Sequence, residues 1–131
     1  MKIEEKNGAT YIEVTRKVKL TDEDIDDIVC TALEGGITYW CSSAEVVGGK
    51  YLGEYASDQI SRGGSLRLYD AEEDRSYELT KYKFLTGFAL ACRDGYLDEA
   101  FDGDGFDTGE IDAELADVIV QYALFGEVVY G

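Results

Sequence analysis

Apolar and polar residues alternate near the start of the chain, and this alternation predicts a strand. The apolar positions are Ile12, Val14, Val18 and Leu20. Arg16 interrupts the apolar row. A period of two with β-branched residues is typical of a half-buried strand. The turn sequence Asn7-Gly8 predicts a hairpin that joins this strand to a short one near residues 2–5.

Three later segments have the three-to-four-residue period of amphipathic helices. The first follows Thr21 as its N-cap and ends at Gly35, the second spans 81–93, and the third spans 112–125 with Gly126 as its stop. The apolar positions of the first helix are Ile25, Ile28, Val29, Ala32 and Leu33. This spacing places them on one face, which indicates packing against a core.

Further strands are predicted at 37–47, 51–55, 65–69 and 77–79. Turns with paired glycines separate the first three, and 70–74 is the predicted turn before the last. In 65–69, Leu66 and Leu68 alternate with Arg67 and Tyr69. Strands are followed by helices without a regular βαβ alternation, which favours an α+β fold. We therefore predict one α+β domain over 1–131, in which a small antiparallel sheet packs against about three helices.

Charge is distributed unevenly along the chain. The protein carries a formal charge of −16, and residues 94–131 contribute eleven acidic residues and no basic residue. Nucleic-acid binding depends on neutralising phosphates with Lys and Arg, so the composition argues against direct binding of DNA or RNA. The same asymmetry favours a partner protein with a basic surface.

Residues 96–114, called the acidic segment below, contain acids that could imitate a row of phosphates. The candidate partner-binding residues are Asp98, Glu99, Asp102, Asp104, Asp107, Glu110, Asp112 and Glu114. On the last helix, near-helical spacing predicts that Glu110, Glu114 and Asp117 share one face. A solvated loop, capped by Asp107 or Thr108 where the last helix begins, is the alternative interpretation.

Catalytic and metal-binding chemistry is restricted by what the sequence lacks. With no histidine in 131 residues, Ser-His-Asp and Cys-His nucleophiles and histidine-ligated zinc are excluded. Cys30, Cys41 and Cys92 are widely spaced and are expected to pack in the core. A calcium loop that starts at Asp104 would put Phe106 and Leu115 where two ligands are needed. We predict a protein that is not an enzyme, with no metal and no cofactor.

A second candidate site surrounds the only tryptophan. Trp40, Ser42 and Ser43, with Arg62, could line a pocket for an anionic small molecule such as a nucleotide. The alternative is that Trp40 is a core aromatic. A tyrosine-rich surface that mediates self-assembly is a third possibility.

The chain has no apolar run of membrane-spanning length and begins without the apolar core of a signal peptide. We therefore expect a cytoplasmic protein that does not interact with a membrane.

Three stretches resemble small accessory proteins of phages and conjugative elements of gut Firmicutes. They are ITYWCSS at 37–43, EYASDQISRGG at 54–64 and the segment 111–131. The resemblance implies a mobile element in a bacterial host cell, where compact acidic proteins counter host defence. It implies a non-enzymatic inhibitor of a nucleic-acid-directed defence protein, of the anti-CRISPR or anti-restriction type, or alternatively a protein that sequesters a nucleotide signal.

Overall fold

The structure, a computed structural model, describes residues 2–103 and 105–131. Its α-helices are α1 (Asp22–Thr31), α2 (Lys81–Arg93) and α3 (Ala113–Phe125). Its strands are β1 (Ile3–Lys6), β2 (Ala9–Ile12), β3 (Cys41–Val46), β4 (Leu66–Asp70), β5 (Ser76–Leu79), β6 (Phe101–Asp102) and β7 (Gly105–Phe106). All the strand pairs within the described ranges are antiparallel, and the predicted α+β class is confirmed.

The largest sheet has the strand order β3-β4-β5. Its middle strand alternates as the sequence predicts, because Leu66 and Leu68 are fully buried while Arg67 between them is half-buried. Leu79 of β5 pairs with Leu66 and is buried as well. This apolar face of the sheet forms part of the core, and β5 contacts α3.

Helices α2 and α3 cross at a glycine. A Cβ atom built on Gly87 would lie 2.5 Å from the backbone nitrogen of Ala123 and 2.7 Å from the carbonyl oxygen of Ile119. Real Cβ atoms do not approach backbone so closely, so only glycine allows this crossing. Helix α3 is buried at every position from 116 to 122, which makes it the central helix of the fold.

The predicted helix ends at Thr21 and Gly126 are confirmed. Thr21 Oγ1 accepts a hydrogen bond from the Asp24 N–H at 3.1 Å, and Asp24 Oδ2 accepts one from the Thr21 N–H at 3.0 Å. Gly126 ends α3 with a φ of 75°. Helix α1 does not stop at Gly35, because a wider helical turn continues it through Ala32–Gly36.

The predicted N-terminal hairpin is confirmed, but the prediction that its second strand continues to Leu20 is wrong. Asn7 and Gly8 have φ values of 52° and 78°, as a tight hairpin turn requires. Strand β2 ends at Ile12, and Val14 is 79% exposed. Alternation assigns side chains to two faces, but a strand also needs a neighbour for its backbone, and residues 13–20 form no strand.

The strand predicted at 51–55 is also absent, because nearby side chains accept hydrogen bonds from the backbone N–H groups of this segment. The Leu52 N–H donates to Gln59 Oε1 at 2.6 Å. The N–H groups of Glu54 and Tyr55 both donate to Asp58 Oδ2, at 3.1 and 3.0 Å. These local acceptors replace a partner strand and hold the segment as a loop.

The strand predicted at 37–47 begins later than expected. The N–H groups of Trp40 and Cys41 both donate to the Ile37 carbonyl, at 3.1 and 2.8 Å, so a turn precedes β3. This turn places Trp40 in the core.

Candidate functional site

The acidic segment after α2 contains short elements of regular structure. It contains 3₁₀ turns at Asp98–Ala100 and Thr108–Glu110, with the β6-β7 hairpin between them. The two turns lie side by side, and the Asp107 N–H donates to the Ala100 carbonyl at 2.9 Å. Asp98 and Glu99 therefore lie next to the turn that carries Glu110.

Apolar residues within the segment anchor it to the core. Leu97, Ala100 and Ile111 are all buried: Leu97 precedes the first turn, Ala100 ends it, and Ile111 follows the second. Isolated apolar side chains among acidic residues indicate where a segment is attached to the core. The charge pattern alone did not reveal these three positions.

Arg16 ties the hairpin to the N-terminal segment. Its guanidinium carbon lies 4.3 Å from the centre of the Phe101 ring, and one of its nitrogens donates to the Gly103 carbonyl at 3.4 Å. The Phe106 ring packs at 5.3 Å from both Phe101 and Phe88. These contacts with Phe101 and Gly103 explain the arginine within an otherwise apolar row of the sequence.

Two of the candidate acids act as caps. Asp107 Oδ1 accepts a hydrogen bond from the Gly109 N–H at 2.8 Å, and Asp112 Oδ1 accepts one from the Leu115 N–H at 2.9 Å. The cap of α3 is therefore Asp112, which corrects the expectation that Asp107 or Thr108 would start the last helix. Negative charge at this end also complements the helix dipole.

Seven of the eight candidate acids are exposed, and Asp104 lies outside the described residues. We call the seven the acidic face: Asp98, Glu99, Asp102, Asp107, Glu110, Asp112 and Glu114. Apart from the two caps, their side chains form no hydrogen bond or ion pair with another described residue. These carboxylates are therefore open to a partner.

Asp117, by contrast, is buried, so the predicted common face with Glu110 and Glu114 is wrong for this residue. It is 7% exposed and accepts hydrogen bonds from Trp40 Nε1 at 2.8 Å and Tyr39 Oη at 2.6 Å. Gln121 Nε2 donates to the same carboxylate at 2.9 Å. Burial and the bond to Asp117 raise the pKa of Tyr39 to about 12.

The same cluster holds the end of the chain. Gln121 Oε1 accepts from the N–H groups of Val129 and Tyr130 at 2.7 and 2.8 Å. The Tyr130 ring stacks on Trp40 at 5.0 Å between ring centres, and its hydroxyl donates to Asp70 at 2.7 Å. The hydrogen bond with Tyr77 and the neighbouring Asp70 carboxylate raise the pKa of Tyr130. Residues 129 and 130 thus close over the core.

Asp94 is also engaged within the fold. Arg93 Nε donates to it at 2.8 Å and the Tyr122 hydroxyl at 2.6 Å, and these bonds lower the pKa of Asp94 to about 2. The bond to Asp94 raises the pKa of Tyr122 to about 12. Asp94 therefore belongs to the fold rather than to the acidic face.

The Asp94 contacts predict a component of acid sensitivity. A carboxyl whose pKa is lower in the folded state stabilises the fold above its unfolded pKa, and this contribution is lost as the pH falls from about 4 to about 2. In urea unfolding across this range, Asp94→Asn should lose stability less steeply than the parent. Tyr122→Phe should be intermediate. Equal slopes for Asp94→Asn and the parent would contradict the assignment.

The residues of the alternative pocket have other contacts. Trp40 is 3% exposed, covered by Tyr130 and by the edges of Tyr77 and Phe125. Arg62 donates to Asp26 at 3.3 Å and to the Asp58 carbonyl at 3.1 Å. The Trp40 ring is therefore a core aromatic and is not open to a ligand.

Ser42 and Ser43, the other two pocket residues, are exposed on β3, and Ser42 Oγ donates to the Tyr69 carbonyl at 3.4 Å.

Among residues 2–103 and 105–131, no three acidic or cysteine side chains gather in a way that could hold a metal ion. No helix in those ranges has the length and hydropathy needed to cross a bilayer. No protein-family model, curated protein or solved structure matches the chain.

Proposed function

We propose that this protein is a non-enzymatic inhibitor from a phage or mobile element. It binds a basic, nucleic-acid-binding surface of a host defence protein through the acidic face. The observation that carries the proposal is the set of seven exposed carboxylates in a part of the chain that has no basic residue after Arg93. The resemblance to accessory proteins of mobile elements supports the cytoplasm of a bacterial host cell as the setting.

The charge of the acidic face suits a groove built for phosphates. Such grooves carry Lys and Arg side chains that hold nucleic acid mainly through phosphate charge. Opposite potentials on two proteins accelerate association and exclude partners of like charge. A protein of charge −16 would be attracted to such a groove and repelled by nucleic acid itself.

The anchoring of the acidic segment also favours binding. Leu97, Ala100 and Ile111 are buried, and Asp107 and Asp112 are tied to backbone N–H groups. A segment that is already ordered loses less conformational entropy when it binds than a disordered acidic tail would lose.

The experiment starts with a pull-down from a Firmicutes host lysate at about 0.15 M salt, repeated near 0.5 M, where charge screening is much stronger. A basic partner retained only at low salt is then titrated against variants. The triple variant Asp98→Lys, Asp102→Lys and Glu110→Lys reverses exposed carboxylates that form no side-chain hydrogen bond with a described residue. We expect it to weaken binding by about tenfold or more and to make the salt dependence shallower.

The matched control is Glu5→Lys, Glu13→Lys and Glu72→Lys, which changes net charge equally at exposed positions outside the acidic face. We expect it to weaken binding only slightly. If both triple variants lose the same affinity, net charge alone controls binding and the acidic face has no special role. If the first variant inhibits as well as the parent, the proposal is wrong.

A further inference from the structure

Residues 14–20 form a segment whose backbone is not paired. Within the described ranges, no backbone hydrogen bond involves any of these seven residues. The pairing of the hairpin ends where the Glu13 N–H donates to the Lys2 carbonyl at 2.9 Å, and Thr21 begins the next helix. Unpaired N–H and C=O groups in a row offer a template for an added strand.

The side chains of residues 17–20 alternate as in a strand. Val18 and Leu20 are half-buried and pack against the core, whereas Lys17 and Lys19 are exposed. Alternate residues of a strand point to opposite sides. Residues 17–20 therefore have the side-chain alternation of a strand, without a paired strand among the described residues.

An open cleft of about 690 Å³ lies between this segment and the β6-β7 hairpin. Residues 15–19 line one side, and Phe101, Gly105 and Phe106 line the other. Five residues of strand span about 17 Å. The cleft volume lies within the range of ligand-binding clefts, and residues 15–19 are enough to pair with a five-residue strand.

Cations predominate among the described residues that line the cleft. They are Arg16, Lys17 and Lys19, and the lining acid among the described residues is Asp24. Asp24 already accepts a hydrogen bond from the Thr21 N–H at 3.0 Å. Arg16 is held over Phe101, and neither lysine forms an ion pair with a described residue. The two ammonium groups are therefore open to an anionic partner.

We propose that this cleft binds an extended acidic peptide by strand addition. The peptide backbone pairs with residues 15–19, its carboxylates face Lys17 and Lys19, and its intervening apolar side chains lie beside Val18 and the two phenylalanine rings. Strand addition is an established mode of peptide recognition, in which backbone bonds give affinity and alternate side chains give specificity.

A peptide fits the cleft better than a small anion does. The segment presents both N–H donors and C=O acceptors, and an added strand satisfies both kinds of group. A phosphate would use only the donors, and the carbonyl oxygens would repel it.

The test uses a fluorescent seven-residue peptide that alternates valine and glutamate, measured by anisotropy against the full chain. We expect saturable binding and slower amide hydrogen exchange at 14–20. The same peptide with alternate amides N-methylated, which cannot complete the ladder, should bind about tenfold more weakly. The double variant Lys17→Ala and Lys19→Ala should weaken binding about fivefold. The matched control Lys2→Ala and Lys6→Ala should stay within about twofold of the parent.

Three results would overturn the proposal. One is the absence of saturation below about 1 mM peptide. The second is equal binding of the methylated and unmethylated peptides, or equal weakening by the two lysine variants. The third is tighter binding of inorganic tripolyphosphate than of the peptide, which would assign the cleft to a small anion. None of the variants in this test changes a residue of the acidic face, so this inference and the proposed function can fail separately.

Discussion

Replacing Asp117 with alanine should lower the free energy of unfolding by about 3 kcal/mol, because buried donors left without an acceptor are costly. The Asp117 carboxylate accepts bonds from Tyr39, Trp40 and Gln121. Trp40 Nε1 is buried and has no other acceptor among the described residues. Urea unfolding followed by the fluorescence of Trp40 measures the change.

Two variants control this prediction. Asp117→Asn retains one acceptor oxygen and should cost less, about 1 kcal/mol. Glu114→Ala removes an exposed carboxylate one turn earlier on α3 and should stay within about 0.5 kcal/mol of the parent. If Asp117→Ala and Glu114→Ala unfold at the same urea concentration, the buried cluster does not stabilise the fold as we argue.

Gly87→Ala should destabilise the protein by about 2 kcal/mol, although alanine is the better helix former. The added methyl would lie 2.5 Å from the Ala123 nitrogen and 2.7 Å from the Ala123 Cα. Both are backbone atoms, which cannot rotate away as a side chain would. Helices α2 and α3 must therefore move apart and lose packing along their contact.

Gly35→Ala is the matched control, because Gly35 is exposed, helical and has no atom within 4 Å of an added Cβ. This change should be neutral or stabilising by up to about 1 kcal/mol. Thermal melts of the two variants give the comparison. A melting temperature for Gly87→Ala at or above that of the parent would show that the helix crossing tolerates a methyl group.

Both stability predictions concern α3, whose first turn carries Asp112 and Glu114 of the acidic face. A variant that separates α2 from α3 would also displace the start of this helix. The binding experiments therefore reverse charges at exposed carboxylates and leave the buried cluster intact, so that a loss of affinity reports the surface and not the fold.

Several features that depend on near neighbours in the chain were readable from the sequence. The Thr21 cap, the Asn7-Gly8 turn and the Gly126 stop each involve residues within a few positions of one another, and all three are confirmed. The alternation of Leu66 and Leu68 with Arg67 likewise predicted which side of β4 is buried.

Two strands predicted from the pattern of apolar residues are absent, because no neighbouring strand pairs with the backbone at these positions. At 51–55 the side chains of Asp58 and Gln59 accept from the backbone, so no neighbouring strand is needed. At 13–20 the alternation is real for Val18 and Leu20, but no strand lies beside it. A period of two predicts which way side chains point and does not supply the partner.

The candidate site likewise has features that the sequence predicted and features that depend on tertiary contacts. Charge density alone identified the acidic segment, and all seven of its candidate carboxylates that the structure describes are exposed. Helical spacing could not separate Glu114 from Asp117, because the acceptor role of Asp117 depends on Tyr39 and Trp40, more than seventy positions away in the chain. The same contact removed Trp40 from the alternative pocket.

The sequence by itself determined the α+β class, the approximate positions of the three helices, the Thr21 cap, the Gly126 stop and the concentration of negative charge in the last third. Each of these depends on composition or on residues close together along the chain. Only the tertiary structure decided which of the described acids are buried, where Trp40 lies, and that residues 15–19 line a cleft together with the β6-β7 hairpin. Those outcomes depend on contacts between distant residues, which local patterns do not encode.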